Sequence, residues 1–218
     1  MMLPTHALSG MALALPLLAV APEFAPVAFA AGLLGGILPD LDMYAGHRKT
    51  LHFPVYYSVL AVGGVIAALL IPTMATVAVA VFLLAAALHC VTDVFGSGLE
   101  LRPWEGTSDR AVYDHYRGTW IAPRRVVGYD GSPGDLMASI VLAIPLLFVI
   151  EGVLQWVVLT ALVVATTYTV LRRVLADLAT VAVGFVPTPV RAYLPARYLE
   201  DVDVTDSGGS GVDSVSEY

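Results

Sequence analysis

The chain alternates between long apolar stretches and short polar connections. Six apolar segments can be drawn, at residues 7–21, 25–38, 55–71, 74–95, 136–150 and 153–171. A helix satisfies its own backbone hydrogen bonds, so apolar segments of this kind predict membrane helices. Crossing a bilayer takes about 17–25 residues, which the fourth and sixth segments reach comfortably, while the first two could be re-entrant. The pattern predicts an all-α fold, a multi-pass transmembrane helical bundle.

Composition supports the membrane class. Hydrophobic residues make up 58% of the 218 residues and charged residues only 13%, where a soluble domain has about a quarter. The lipid bilayer is therefore the expected partner, and no direct nucleic-acid binding is expected. We predict a helical domain over residues 1–186 that includes a polar loop at 96–135, then a juxtamembrane segment at 187–199. Residues 200–218 are rich in Gly, Ser and Asp and predict a disordered acidic tail.

The basic residues predict the orientation in the membrane. On the six-segment map all 11 lie in connections on one side, that of the N-terminus. Because Lys and Arg concentrate in cytoplasmic loops, the chain is expected in the cell membrane with both termini cytoplasmic. A further apolar stretch at 174–186 follows Arg172-Arg173 and is predicted to lie along the interface.

The same map gathers histidines, carboxylates and one arginine at the cytoplasmic end of the bundle. They are His6, Asp40, Asp42, His47, Arg48, His52, His89 and Asp93. Ionisable groups beside a hydrocarbon phase are costly, and they usually indicate function. His89 and Asp93 are four residues apart on one helix face, and in an extended chain Asp40 and Asp42 point the same way. Imidazole and carboxylate ligands together suit zinc, manganese or iron.

These residues predict a divalent metal site, with zinc as the first choice and manganese or iron as alternatives. The predicted metal ligands are His6, Asp42, His47, His52, His89 and Asp93. Asp40 and Arg48 are the predicted catalytic residues, although the reasoning allows either aspartate to bind the metal while the other acts as general base or orients a histidine. The fork of Arg48 suits an anionic group. The number of candidate ligands also leaves a two-metal site open.

Two alternative functions are consistent with this interpretation of the sequence. The first is an integral membrane metal-dependent hydrolase at the cytoplasmic face, acting on an anionic, phospholipid-like ester or phosphodiester. The alternative is a non-catalytic scaffold that recruits a cytoplasmic partner, in which the polar cluster only clamps helix ends. A metal transporter is disfavoured, because transport needs polar residues near the midplane of the bilayer and the segments offer few, such as Ser58 and Gln155.

The polar loop at 96–135 is long enough to be a lid or a binding segment. Most of it is predicted to be a solvated loop, with its aromatic residues at the level of the lipid headgroups. Residues 100–105 are the exception, because they follow Asp93 closely enough to cover the predicted site.

The ordered motifs resemble a known family over roughly residues 1–135. They are His6 with Gly10, Leu38-Pro-Asp-Leu-Asp42, His47-Arg48 with Thr50 and His52, and His89-x-x-x-Asp93 followed by Gly96, Gly98 and Arg102-Pro-Trp104. The chain resembles the membrane-bound metal-dependent hydrolases, also described as inner-membrane-associated, LexA-binding hydrolases. The resemblance implies a multi-pass membrane protein with hydrolase activity and a bound divalent metal. It implies as polar signature His6, Asp40, Asp42, His47, His52, His89 and Asp93.

Overall fold

A computed structural model describes residues 1–43, 45–191 and 193–199, and it shows a helical bundle with one small hairpin. The predicted all-α fold is confirmed, whereas the predicted acidic tail lies outside the described residues. The α-helices are α1 (Leu3–Ala12), α2 (Leu17–Val20), α3 (Ala25–Ile37), α4 (Pro54–Leu70), α5 (Met74–Asp93), α6 (Pro133–Val149), α7 (Val153–Gly184) and α8 (Thr188–Arg191). The two strands are β1 (Val112–Asp114) and β2 (Thr119–Ile121). Short 3-10 turns occupy Pro22–Phe24, Leu38–Asp42 and Ala196–Tyr198.

Each of the six apolar segments forms helix, but the number of long candidate spans is lower than six. In the described part of the chain four are long and apolar enough to cross a membrane, namely Leu3–Val20, Pro22–Asp42, Met74–Asp93 and Val153–Gly184. Helices α4 and α6 are shorter, with 17 residues each. Each begins at a proline, a residue favoured in the first turn of a helix. Gly152, with φ of 69°, then forms the turn after α6.

The apolar stretch at 174–186 is not a separate segment but continues a longer helix. Helix α7 runs without a break over 32 residues, through Arg172-Arg173 and on to Gly184. Arginine is a good helix former, and no proline or glycine interrupts this stretch before its last residue. The two arginines therefore lie within one long helix.

Glycines bring α1 and α3 into unusually close contact. A Cβ atom on Gly10 would overlap the carbonyl oxygen of Gly32, and a Cβ on Gly32 would overlap that of Gly10. One turn further along α3, a Cβ on Gly36 would overlap the carbonyl oxygen of His6. Small residues allow such backbone contact between membrane helices. This packing sets the position of His6 along the axis of the bundle, level with the C-terminal end of α3.

The polar loop at 96–135 folds back over the end of the bundle. Its strands pair antiparallel, with Tyr113 opposite Trp120, and the Tyr113 N–H donates to the Arg48 carbonyl at 2.9 Å. At its other end Arg124 N–H donates to the Val94 carbonyl at 2.7 Å. Ala111 and Val112 are fully buried. The part around the hairpin is thus a packed cover, which the prediction of a mostly solvated loop missed.

Candidate metal centre

Four side chains converge at the end of the bundle that the hairpin covers. Asp40, His52, His89 and Asp93 each offer a ligand atom, and these four atoms lie within 4.8 Å of one another. Asp40 comes from the 3-10 turn after α3, His52 from just before α4, and the other two from the last turns of α5. Helices that alternate in direction bring these four positions to one end. The group is compatible with binding a metal ion.

The ligand atoms surround a common position. His89 Nε2 lies 3.4 Å from both Asp40 Oδ1 and Asp93 Oδ2, and His52 Nε2 lies 3.3 Å from Asp93 Oδ2 and 3.8 Å from Asp40 Oδ1. Both histidine Nε2 atoms and Asp93 Oδ2 are buried and have no hydrogen-bond partner among the described residues. Buried polar atoms are nearly always satisfied, so three such atoms facing each other are compatible with a cation site.

Hydrogen bonds set both histidines for metal binding. His89 Nδ1–H donates to the Gly36 carbonyl at 2.7 Å, and His52 Nδ1–H donates to Asp42 Oδ2 at 3.0 Å. Carbonyl and carboxylate oxygens can only accept, so the proton of each neutral ring belongs on Nδ1. The lone pair is therefore on Nε2, the atom directed at the other ligands. Outer hydrogen bonds of this kind orient metal-binding histidines in proteins.

The two aspartates of the Leu38–Asp42 turn face different neighbours. The sequence predicted an extended chain with both carboxylates on one side, but residues Leu38–Asp42 form a 3-10 turn with Pro39 at its second position. Asp40, with its side chain 10% exposed, joins the ligand group. Asp42 is buried and accepts from His47 Nδ1 at 3.1 Å, from His52 Nδ1 at 3.0 Å and from the backbone N–H of Leu51 at 3.0 Å. Asp42 thus organises the loop that carries both histidines.

His6 and Arg48 hold the outer oxygen of Asp93. His6 Nε2–H donates to Asp93 Oδ1 at 3.0 Å, and the His6 ring stacks on His89 with ring centroids 3.7 Å apart. Arg48 Nη2 lies 3.6 Å from the same oxygen, while Arg48 Nη1 donates to the Ser97 carbonyl at 2.6 Å. Asp93 Oδ2 is therefore left for the ligand group.

The pKa values of His47 and His52, the two histidines of the loop before α4, shift in opposite directions. Burial lowers the pKa of His47, and the hydrogen bond to Asp42 only partly opposes this. Burial also acts to lower the pKa of His52, but Asp42 and Asp93 outweigh it and raise the pKa above 6.5. For Arg48, burial is outweighed by the charges of Asp93 and other carboxylates, which raise its pKa and keep it charged.

The structure thus brings all eight predicted site residues together, in two layers. Of the predicted ligands, His52, His89 and Asp93 belong to the four-residue ligand group, and Asp40, predicted as catalytic, completes it. His6, also predicted as a ligand, contacts the Asp93 carboxylate, and the other two predicted ligands, Asp42 and His47, contact each other, with Asp42 also holding His52. Their assignment as ligands, and that of Arg48 to catalysis, stay predictions.

Asp42→Asn should weaken metal binding without removing a ligand. An amide offers one acceptor oxygen where the carboxylate offers two, so His47 and His52 cannot both be oriented by it. Loss of an outer-shell partner typically costs about 10–100-fold in metal affinity, and we expect a loss in this range. Titration calorimetry of the purified protein with Zn²⁺ measures it. Asp114→Asn is the control, because Asp114 is a buried carboxylate that accepts from the backbone of Tyr116 and contributes nothing to the cluster. Equal affinities for wild type and Asp42→Asn would contradict the orienting role.

Sequence reasoning missed a second buried polar cluster, centred on Asp135 near the start of α6. Asp135 accepts from the Met2 backbone N–H and from Thr5 Oγ1, both at 2.7 Å, and so ties α1 to α6. Ser132 Oγ accepts from the Asp135 N–H at 3.2 Å and caps the helix. The signal was present as Ser132-Pro-Gly-Asp135, which resembles a capping box at a helix start.

A third polar cluster fastens the long loop to α7. Asp130 accepts from Tyr168 Oη at 2.6 Å and from Arg172 Nε at 3.0 Å. Arg172 also donates to the Leu101 carbonyl at 3.1 Å and lies over the ring of Trp104. Burial raises the pKa of Asp130, but the charge of Arg172 and the hydrogen bond from Tyr168 outweigh it and lower the pKa.

This lowered pKa predicts a pH-dependent stability. Because the carboxylate of Asp130 is favoured in the folded state, its contribution is fully present above 3.8, the unfolded value, and is lost as the pH falls through the folded pKa. Asp130→Asn should lower the free energy of unfolding by about 1.5–3 kcal/mol near neutral pH, with the difference shrinking below about pH 4. Chemical unfolding in detergent across this pH range checks it, with Asp109→Asn, at an exposed position, as control. A difference that stays constant down to pH 3 would refute the assignment.

A cavity of about 410 Å³ opens beside the ligand group. Asp40, His47 and Arg48 line it on the cluster side, and Glu100 lines it from the polar loop. Both carboxylate oxygens of Glu100 are buried and have no hydrogen-bond partner within the described ranges. The predicted covering segment at 100–105 therefore does reach the site, through Glu100.

Comparisons with protein-family models, with curated proteins and with solved structures find no match to this chain.

Proposed function

We propose that this protein is a membrane-embedded, metal-dependent hydrolase whose active site lies at the cytoplasmic membrane face. The observation that carries the proposal is the group of Asp40, His52, His89 and Asp93, with three buried ligand atoms left without hydrogen bonds in the described structure. Apolar helices around the group supply the membrane setting. The resemblance to the membrane-bound metal-dependent hydrolases supports the same activity.

The donor set fits zinc. Ligands about 2.0–2.1 Å from a tetrahedral zinc ion lie about 3.3–3.4 Å apart, close to the separations of 3.3, 3.4 and 3.8 Å between the imidazole and carboxylate atoms here. Two imidazoles and two carboxylates would also accept manganese or iron. A divalent ion held there would supply Lewis-acid activation of water and of the bond to be cleaved.

Glu100 is the best-placed general base. Asp42 is engaged in hydrogen bonds with the histidine loop, and Asp40 belongs to the ligand group. Glu100 instead has two acceptor oxygens without partners among the described residues, and it lines the same cavity as Asp40 and Arg48. A carboxylate in that position can take a proton from the attacking water and return it to the leaving group.

The substrate class follows from the position of the site. An ester or phosphodiester with lipid character would reach a cavity at the end of the membrane helices directly from the bilayer. Arg48 lines that cavity and is kept charged, so it can hold an anionic group.

The scaffold alternative has less support from the cluster. Helix ends can be clamped by satisfied hydrogen bonds, as Asp135 shows where it joins α1 to α6. Leaving His52 Nε2 and His89 Nε2 buried without hydrogen bonds among the described residues would only destabilise a clamp. A bound cation removes this cost.

A panel of phospholipid and phosphodiester substrates tests the proposal with purified, metal-loaded protein. We expect turnover in the wild type, loss of it after chelation, and recovery when metal is restored. Glu100→Gln should lower kcat by about 10²–10⁴-fold with unchanged metal content, because it removes proton transfer but no ligand. Glu105→Gln, an exposed glutamate of the same loop, is the matched control. Metal-loaded wild type that cleaves no member of the panel would overturn the hydrolase proposal, and full activity in Glu100→Gln would overturn the role of Glu100.

A further inference from the structure

The cavity beside the ligand group extends along α7 toward the depth of the bilayer. One face of α7 lines it, through Val164, Tyr168, Arg172, Ala176 and Ala179, and the start of α1 lines it from the other side. With a rise of 1.5 Å per residue, Val164 lies about 17 Å and Arg172 about 29 Å from the beginning of α7. A bilayer core is about 30 Å thick, so this wall runs from near the midplane to the headgroup level.

The wall changes in character along this path. Its deep and lateral parts are apolar, with Leu3, Val164 and Leu175 all partly exposed. Its outer end is charged, and Arg48 and Arg197 line it together with Asp40, Glu100 and Asp130. A molecule that fills the whole cavity must therefore have an apolar part in the bilayer and a polar part at its surface.

Two donors at the outer end have no partner among the described residues. Arg48 Nε and Arg197 Nε are both buried and make no hydrogen bond there. Arg48 is only 4% exposed, so its unpaired N–H is costly unless an acceptor binds. The nearby carboxylates have other roles, since Asp130 pairs with Arg172 at 3.0 Å and Asp40 belongs to the ligand group. Glu100 is the proposed general base. Guanidinium groups suit phosphate oxygens in particular.

We propose that this cavity binds an anionic phospholipid of the adjacent leaflet, with its acyl chain between α1 and α7 and its phosphate at Arg48 and Arg197. The proposal deepens the proposed function and rests on it for the identity of the lipid as substrate, because the phosphate then lies beside Asp40 and Glu100. It also assigns a route, from the bilayer sideways into the site. A second opening of about 780 Å³, which shares His47, Glu100 and Arg197 with the cavity, gives water a separate way in from the polar loop.

Native mass spectrometry of the full chain, with equal amounts of phosphatidylglycerol and phosphatidylcholine, tests the site. We expect the wild type to retain the anionic lipid about tenfold more than the zwitterionic one. Val164→Trp should fill the apolar part and reduce retention of phosphatidylglycerol by a similar factor, whereas Val163→Trp, at an exposed position of α7 outside the cavity, should not. Arg197→Gln should remove the preference for the anionic lipid while leaving the fold and the ligand group intact.

Three results would overturn the lipid site: equal retention of both lipids by the wild type, wild-type retention in Val164→Trp, or complete displacement of the lipid by millimolar inorganic phosphate. The last would show that the donors serve a free anion. Binding is measured in the His89→Ala background as well, where no turnover is expected. Selective retention there with no hydrolysis by the metal-loaded wild type would uphold the lipid site and reject the hydrolase, so the two failures are distinguishable.

Discussion

His89→Ala is expected to abolish stoichiometric metal binding. His89 contributes the Nε2 atom that lies 3.4 Å from an oxygen of each carboxylate ligand, so the substitution removes one of the four donors. Loss of an outer-shell partner costs about 10–100-fold in affinity, so loss of a ligand should cost more than about 100-fold. Elemental analysis of detergent-purified protein should find close to one divalent ion per wild-type chain and almost none in the variant.

A thermal-shift measurement separates metal loss from misfolding. Ligand at about 100 times its Kd stabilises the folded state by about 2.7 kcal/mol, so added metal should raise the Tm of the wild type. His89→Ala should fold and unfold cooperatively but show no such shift. His115→Ala is the matched control, since His115 hydrogen-bonds the Lys49 carbonyl outside the ligand group. Full metal content in His89→Ala, or its loss in His115→Ala, would show that the metal binds elsewhere.

Gly32→Ala is expected to be among the most destabilising single substitutions in the bundle, although it adds only a methyl group. The new Cβ would overlap the carbonyl oxygen of Gly10, and backbone atoms cannot move aside as a flexible side chain can. Overpacking usually costs about 1–3 kcal/mol, and we expect about 3 kcal/mol or more here because α1 must shift as a whole. Denaturant unfolding in detergent measures the change, and metal affinity should fall with it, since α1 carries His6.

Gly63→Ala is the matched control for this prediction. Gly63 also lies inside a helix, α4, but a Cβ there meets nothing within 4 Å. Alanine is the better helix former by about 1 kcal/mol, so this variant should be as stable as the wild type or slightly more so. If Gly32→Ala is equally well tolerated, α1 and α3 do not pack as closely as described.

Much of the site was predictable because it follows from local rules. The spacing of His89 and Asp93 places them on one helix face. The alternation of apolar segments with polar connections brings His6, in α1, and Asp93, at the end of α5, to the same side of the bundle. The division of roles between Asp40 and Asp42 was not predictable from spacing. It depends on the 3-10 turn at Leu38–Asp42, which directs the two carboxylates differently from an extended chain.

Residues far apart in sequence were the hardest to assign. Glu100 and Arg197 are ordinary charged residues of polar segments. The short distance along the chain from Asp93 predicted that residues 100–105 cover the site, but nothing assigned a role to Glu100 or marked Arg197. Their importance arises where the loop and the end of the chain fold against α7 and bury atoms that have no partner in the described structure. The same holds for Arg172, which the sequence placed at a boundary and the structure places inside one continuous helix.

The sequence by itself determined the helical class and the set of polar residues at one end of the helices, because apolar periodicity and the cost of charge near lipid act on each segment separately. The tertiary structure alone decided which of those residues form the ligand group, which orient them, and where the cavity runs. These depend on distances of a few ångströms between segments, and such distances are set by contacts such as that of Gly10 with Gly32.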